Sequence, residues 1–83
     1  MSDNTTPLLL SAQVKTAVEY YLAQLEGDDT TNLYDLVLAQ VEKPLLEVSL
    51  QHAGYNQTKT AEMLGISRST LRKKLAHYDL NNN

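Results

Sequence analysis

A chain of 83 residues without cysteine carries neither a disulfide framework nor a cysteine-based metal site, and its length fits one domain. Chains of this size bury only about 60–65% of their unfolded surface, so a lone monomer is marginal, and 42% hydrophobic content suggests apolar surface shared with a second copy. A net charge of -3 argues at first against nucleic acid; no apolar run approaches the roughly 20 residues of a membrane span, and Leu8-Leu-Leu lacks the basic flank of a signal peptide, so the expectation is a cytoplasmic protein.

Met1 to Pro7 is polar and unpatterned, and residues 1–10 are expected to form a flexible N-terminal tail. Ser11 then caps the first long helix, in which Val14, Val18, Tyr21, Leu22 and Leu25 make one apolar stripe. Gly27 stops that helix, and Asp28-Asp-Thr-Thr forms the connection. The second helix begins near Thr31 or Asn32 and runs to Gln51. Its apolar residues Leu33, Leu36, Val37, Val41, Leu45 and Val48 define one face, while Leu38, Leu46 and Leu50 extend the surface around the cylinder. One helix cannot cover so much, and the same helix from a second subunit is the natural source of the rest. Pro44 lies inside this span, where proline removes one backbone hydrogen bond at a cost of about 3 kcal/mol. Two helices broken at Lys43 are the rival reading; one kinked helix is preferred, because no Gly, Asn or Ser stop signal precedes the proline.

His52-Ala-Gly-Tyr turns the chain into its last unit. Asn56 is a candidate N-cap, Ala61 and Leu64 share a helical face, and Gly65 ends the helix in the left-handed conformation. After Ile66, Ser67 caps a second short helix, with Leu71 and Leu75 facing inward and Arg68, Thr70, Arg72 and Lys73 left on other faces. The small Ala61 lets the two helices cross closely. This is a helix-turn-helix pattern, whose second helix enters the DNA major groove.

The cations strengthen that reading. Arg68, Arg72, Lys73 and Lys74 lie within two turns and repel one another unless an anion is present. A solvated helix end complementing the dipole accounts for Lys73 and Lys74, but not for Arg68 at the positive end, which is useful only against a guanine edge or a phosphate. The net charge is also an average over unlike halves. Two cations against eight anions through Gln51 leave -6, and five against two from His52 leave +3. The basic half is the expected electrostatic footprint for double-stranded DNA, with the acidic half turned away from the duplex. His52 and His77 are too isolated for a metal site, and Tyr55 and Tyr78 are better placed for packing than for base stacking. No phosphate loop or nucleophile with a base is present, so neither an enzyme nor a cofactor is expected.

Asn56-Gln-Thr and Thr70-Leu-Arg-Lys-Lys-Leu resemble the helix-turn-helix of the Fis family, the bacterial factors for inversion stimulation. The resemblance continues upstream through Tyr20-Tyr-Leu-Ala-Gln-Leu, Leu33-Tyr-Asp-Leu-Val-Leu-Ala-Gln-Val-Glu and Pro44-Leu-Leu-Glu, and covers about Pro7 to Asn81. It implies an all-α fold of four-helix subunits in an intertwined homodimer, with a two-helix dimerisation region over residues 11–51 and a helix-turn-helix DNA-binding region over 52–83. It also implies a nucleoid protein that bends DNA, regulates transcription globally and assists recombination. By the same resemblance Asn56 and Thr58 make phosphate contacts, Arg68 reads a guanine, and Thr70, Arg72, Lys73 and Lys74 hold the backbone or nearby base edges. Ser67 stands at a base-contacting position where the family has Asn, so readout there is weaker or different. Gly54, Ala76 and His77 replace basic residues that touch flanking DNA. The family's mobile N-terminal arms, which contact DNA invertases, have only about ten residues to correspond to here, so invertase contact is not carried over. Two other readings are open: a local transcription regulator related to the closing module of enhancer-binding activators, and a helical dimer whose basic helix meets an acidic protein.

Overall fold

The computed structural model describes residues 5–25 and 32–81, with side chains from Leu9 onward. These residues form four helices and no strand: α1 (Thr5–Leu25), α2 (Leu33–His52), α3 (Gln57–Leu64) and α4 (Arg68–His77). They divide into two compact units, one through Val37 and one from Leu38 onward.

In the first unit, α1 starts well ahead of the expected cap. Thr5 to Leu10 are helical rather than tail, and Ser11 lies inside the helix; Met1 to Asn4, the rest of the expected tail, lie outside the described residues. The physical reason is Pro7. A helix leaves the N–H groups of its first turn without intrahelical acceptors, so a proline there loses nothing, and the leucines after it are good helix formers. Leu9, Leu10, Tyr20 and Leu22 are exposed in the single chain, while Val14, Val18, Tyr21 and Leu25 are half-buried. Gly27 and the connection Asp28–Thr31 fall outside the described residues.

The second helix opens at the expected place, with the Asn32 carbonyl accepting the Leu36 N–H at 2.9 Å, and it runs without a break past Pro44. The division between units lies within α2, because the last turns of α2 belong to the core of the second unit. That core consists of Leu46 and Leu50 from α2, Ala61 from α3, and Leu71 and Leu75 from α4, with Leu64, Ile66, Tyr78 and Leu80 packed around it. Removing each of those core leucines from water contributes about 1.5–3 kcal/mol. Thr60 is completely buried beside them, and its hydroxyl donates to the Asn56 carbonyl at 2.8 Å, which offsets the cost of desolvating it.

Three helices stop in the same way. The N–H groups of Tyr55, Ile66 and Leu80 reach back five residues to the carbonyls of Leu50, Ala61 and Leu75, while those of Gly54, Gly65 and Asp79 reach back three, to Gln51, Glu62 and Ala76. This pair of bonds requires a left-handed residue at its centre. Gly54, Gly65 and Asp79 supply it at φ 63°, 76° and 59°. Ile66 and Leu80, next in the chain after two of them, fold back onto the core.

Candidate nucleic-acid interface

The start of α3 is built by Asn56. Its extended backbone (φ -84°, ψ 109°) lets Oδ1 accept the Lys59 N–H at 3.0 Å, while its carbonyl accepts the Thr60 N–H at 2.9 Å. The two N–H bonds of the Asn56 carboxamide have no partner among the described residues, and Asn56 and Thr58 are both exposed. An exposed amide and hydroxyl at the positive end of a helix suit an anionic oxygen.

At α4 the cap is Ser67 (φ -73°, ψ 157°). Its Oγ accepts the Thr70 N–H at 3.1 Å, donates to Thr70 Oγ1 at 2.9 Å and lies 3.2 Å from Ser69 Oγ. The single hydroxyl proton of Ser67 is thus used inside the cap, and half-buried Thr70 is drawn into the same cluster. The Ser67 side chain is occupied in starting the helix.

Leu71 and Leu75 are completely buried, which fixes how α4 is rotated. At 100° per residue, Lys73 stands opposite those leucines, Arg68 and Arg72 share one flank, and Lys74 and Tyr78 share the other. Arg68, Arg72 and Lys73 are exposed and have no side-chain partner among the described residues. Lys74 differs. Its ammonium lies 2.7 Å from Glu42 Oε2 of α2, and the Tyr78 hydroxyl donates to Glu42 Oε1, also at 2.7 Å. These two hydrogen bonds, that of Lys74 the larger, hold the Glu42 carboxyl below its ordinary range despite partial burial. The same bond to Glu42 pushes the Tyr78 phenol up.

Of the eight residues expected to contact DNA, Asn56, Thr58, Arg68, Arg72 and Lys73 thus present free donors on one short helical unit. Ser67 and Thr70 serve the cap between the helices, and Lys74 is bound to α2. Glu42 is the residue that charge counting misplaces. It belongs by composition to the acidic half, which is expected to lie away from the basic helix, yet it sits one turn before Leu46 on the face of α2 that meets α4. That register, an acidic residue in line with a core leucine, is the signal that marks it.

His52 and His77 are exposed, and among the described residues no three His, Cys, Asp or Glu side chains gather as for a metal ion. Tyr78 packs against the core, with the His77 ring edge-on at 4.7 Å, whereas Tyr55 is half exposed in the turn before α3. No described helix is long and apolar enough to cross a membrane. A shallow depression lined by His52, Ala53, Lys59, Glu62 and Met63 brings no nucleophile and base together.

The model of a family described as "Bacterial regulatory protein, Fis family" matches residues 37–78, from the first turns of α2 to the end of α4. Over 79 residues, 95% of this chain and 81% of each relative, the sequence is 51% identical to the DNA-binding protein Fis of Proteus mirabilis. The DNA-binding proteins Fis of Aliivibrio fischeri and Vibrio campbellii match to the same extent.

Proposed function

The chain belongs to the Fis family of bacterial regulatory proteins, and from that premise we propose that it is a DNA-binding transcriptional regulator, not an enzyme, that grips duplex DNA with α3 and α4 in the nucleoid. The observation that carries this reading is the free cationic surface of α4. Arg68, Arg72 and Lys73 stand together with no acidic partner among the described residues, on a helix held by Leu71 and Leu75. Three unpaired like charges on one short helix repel one another, and a polyanion removes that cost.

Each residue then has a task. Arg68 in the first turn of α4 reaches a base edge and bridges guanine O6 and N7, a contact worth roughly 1–3 kcal/mol of discrimination. Arg72 and Lys73 neutralise phosphates, and Asn56 and Thr58 bind phosphate at the start of α3. Ser67 and Thr70 hold the first turn of α4 at the groove.

The working form is a homodimer. Leu38, Val41, Leu45 and Val48 form one continuous row on α2, about a third of a turn from its core face, and each is more than a third exposed in the single chain. A second copy of α2 covers such a row. Two linked units entering successive major grooves bend the duplex, favouring A/T-rich centres whose minor groove is already narrow.

Titration of random and specific duplexes over a salt series tests the reading. A steep fall of affinity with salt supports DNA as the partner, and no binding at low salt leaves the protein-interaction alternative. Arg68→Ala should lose affinity for the specific duplex alone, by roughly 10- to 100-fold, the equivalent of the discrimination above. Equal loss on both duplexes refutes its role as a base reader.

A further inference from the structure

Lys73 and Lys74 are neighbours in the chain, yet α4 puts them in different chemical situations. Lys73 is exposed and unpaired. Lys74 is half-buried, and its ammonium is 2.7 Å from a carboxylate that is itself only 20% exposed. Both oxygens of that carboxylate are taken by donors one helical turn apart on α4, Lys74 Nζ on Oε2 and Tyr78 Oη on Oε1. Glu42 is anchored in turn by its place one turn before the buried Leu46. A carboxylate held by two donors on one helix fixes that flank of α4 against α2 and cancels one of the helix's charges.

We propose that Glu42 is a positioning residue that withholds Lys74 from DNA and so sets the number of phosphate charges that α4 offers. This rests on the DNA-binding reading and deepens it. Arg72 and Lys73 carry the phosphate contact, whereas the Glu42–Lys74 pair enters and leaves the complex as a neutral unit. Counterion release counts only cations that neutralise phosphates, so a neutral pair adds nothing to the salt dependence of binding. Freeing Lys74 strengthens binding to every sequence alike, which leaves the ratio of specific to random affinity unchanged.

The test is the slope of log affinity against log salt for the full chain on a random duplex, between about 50 and 200 mM. Lys73→Gln should flatten the slope by about one unit per chain. Glu42→Gln frees Lys74 and should steepen it by about the same amount, with tighter binding at low salt. The double variant Glu42→Gln with Lys74→Gln removes the pair without changing net charge, and should return to the slope of the unaltered protein. If the double variant is instead as flat as Lys73→Gln, Lys74 is a phosphate contact and the inference is overturned. A Glu42→Gln slope equal to that of the unaltered protein, with helix content retained, overturns it too. Nitrogen NMR of the lysine ammonium groups needs no substitution: on saturation with duplex the Lys73 signal should move and that of Lys74 should stay, and movement of both overturns the proposal. Failure of the unaltered protein to bind any duplex overturns the DNA-binding reading and this inference with it; binding with a wrong pattern among the variants overturns the inference alone.

Discussion

Two sets of apolar residues recur at helical spacing in this chain, Leu71 and Leu75 on α4 and the row Leu38, Val41, Leu45 and Val48 on α2, but the pair is fully buried and the row is 37–63% exposed. The contrast shows what an apolar stripe means physically. It states that something must cover the helix, not whether the cover comes from the same chain. On α4 the cover is local, since α3 and the end of α2 come just before it in the chain. For the row on α2 a second copy is the proposed cover.

That contrast can be broken. Leu45→Asp places a charge on the exposed row, and on a true single-chain surface it should change stability by no more than about 0.5 kcal/mol. If the row is a dimer seam, an uncompensated buried charge costs about 3–5 kcal/mol. Sedimentation should then fall from twice the 9.3 kDa chain mass to that mass itself. A Leu45→Asp protein that still sediments as a dimer removes the seam from this row.

Leu71→Ala probes the other side of the comparison. Its side chain has 0% exposure, so truncation should cost about 2–5 kcal/mol in denaturant unfolding and abolish DNA binding with it. Unlike Leu45→Asp, it acts within one chain, so its cost should not depend on protein concentration.

Gly65→Ala sharpens the account of the corner between α3 and α4. No atom lies within 4 Å of an added Cβ, so φ 76° is the sole source of strain. A loss of about 1–2 kcal/mol is expected in thermal unfolding. A negligible loss would mean that the corner relaxes.

The smallest effect is electrostatic and pH-dependent. Because the folded Glu42 carboxyl lies below its ordinary value of 4.5, its contribution is present above that pH and is lost as pH falls through the depressed folded value. With Lys74 partly exposed, solvent screening keeps it to no more than about 1 kcal/mol. The unaltered protein and Glu42→Gln should therefore differ in unfolding free energy at neutral pH and converge in acid; a gap that persists in acid assigns the difference to packing.

Much of the candidate site is legible in the sequence because its chemistry is local. Asn56, Gly65 and Ser67 act on backbone groups within five residues of themselves, so sequence alone locates both caps and the corner. The continuous α2 is legible for the same reason, since no stop signal precedes Pro44. The start of α1 escapes this reasoning because Ser11 has the residue type of a cap yet lies inside the helix, while Pro7 is compatible with any first turn.

What the amino-acid order determined by itself is the set of helices, their caps and the cationic character of α4, all consequences of 3.6-residue periodicity and short-range hydrogen bonding. What only the tertiary structure decided is which of those cations is free. Lys73 and Lys74 are the same residue type at adjacent positions, separated by about 100° of helical rotation. Burial of Leu71 and Leu75 sets that rotation, and it brings Lys74 to a carboxylate 32 residues away while leaving Lys73 in water. A partner so distant in sequence leaves no local trace, because the loop that joins them costs the same whichever lysine is chosen and only packing distinguishes the two.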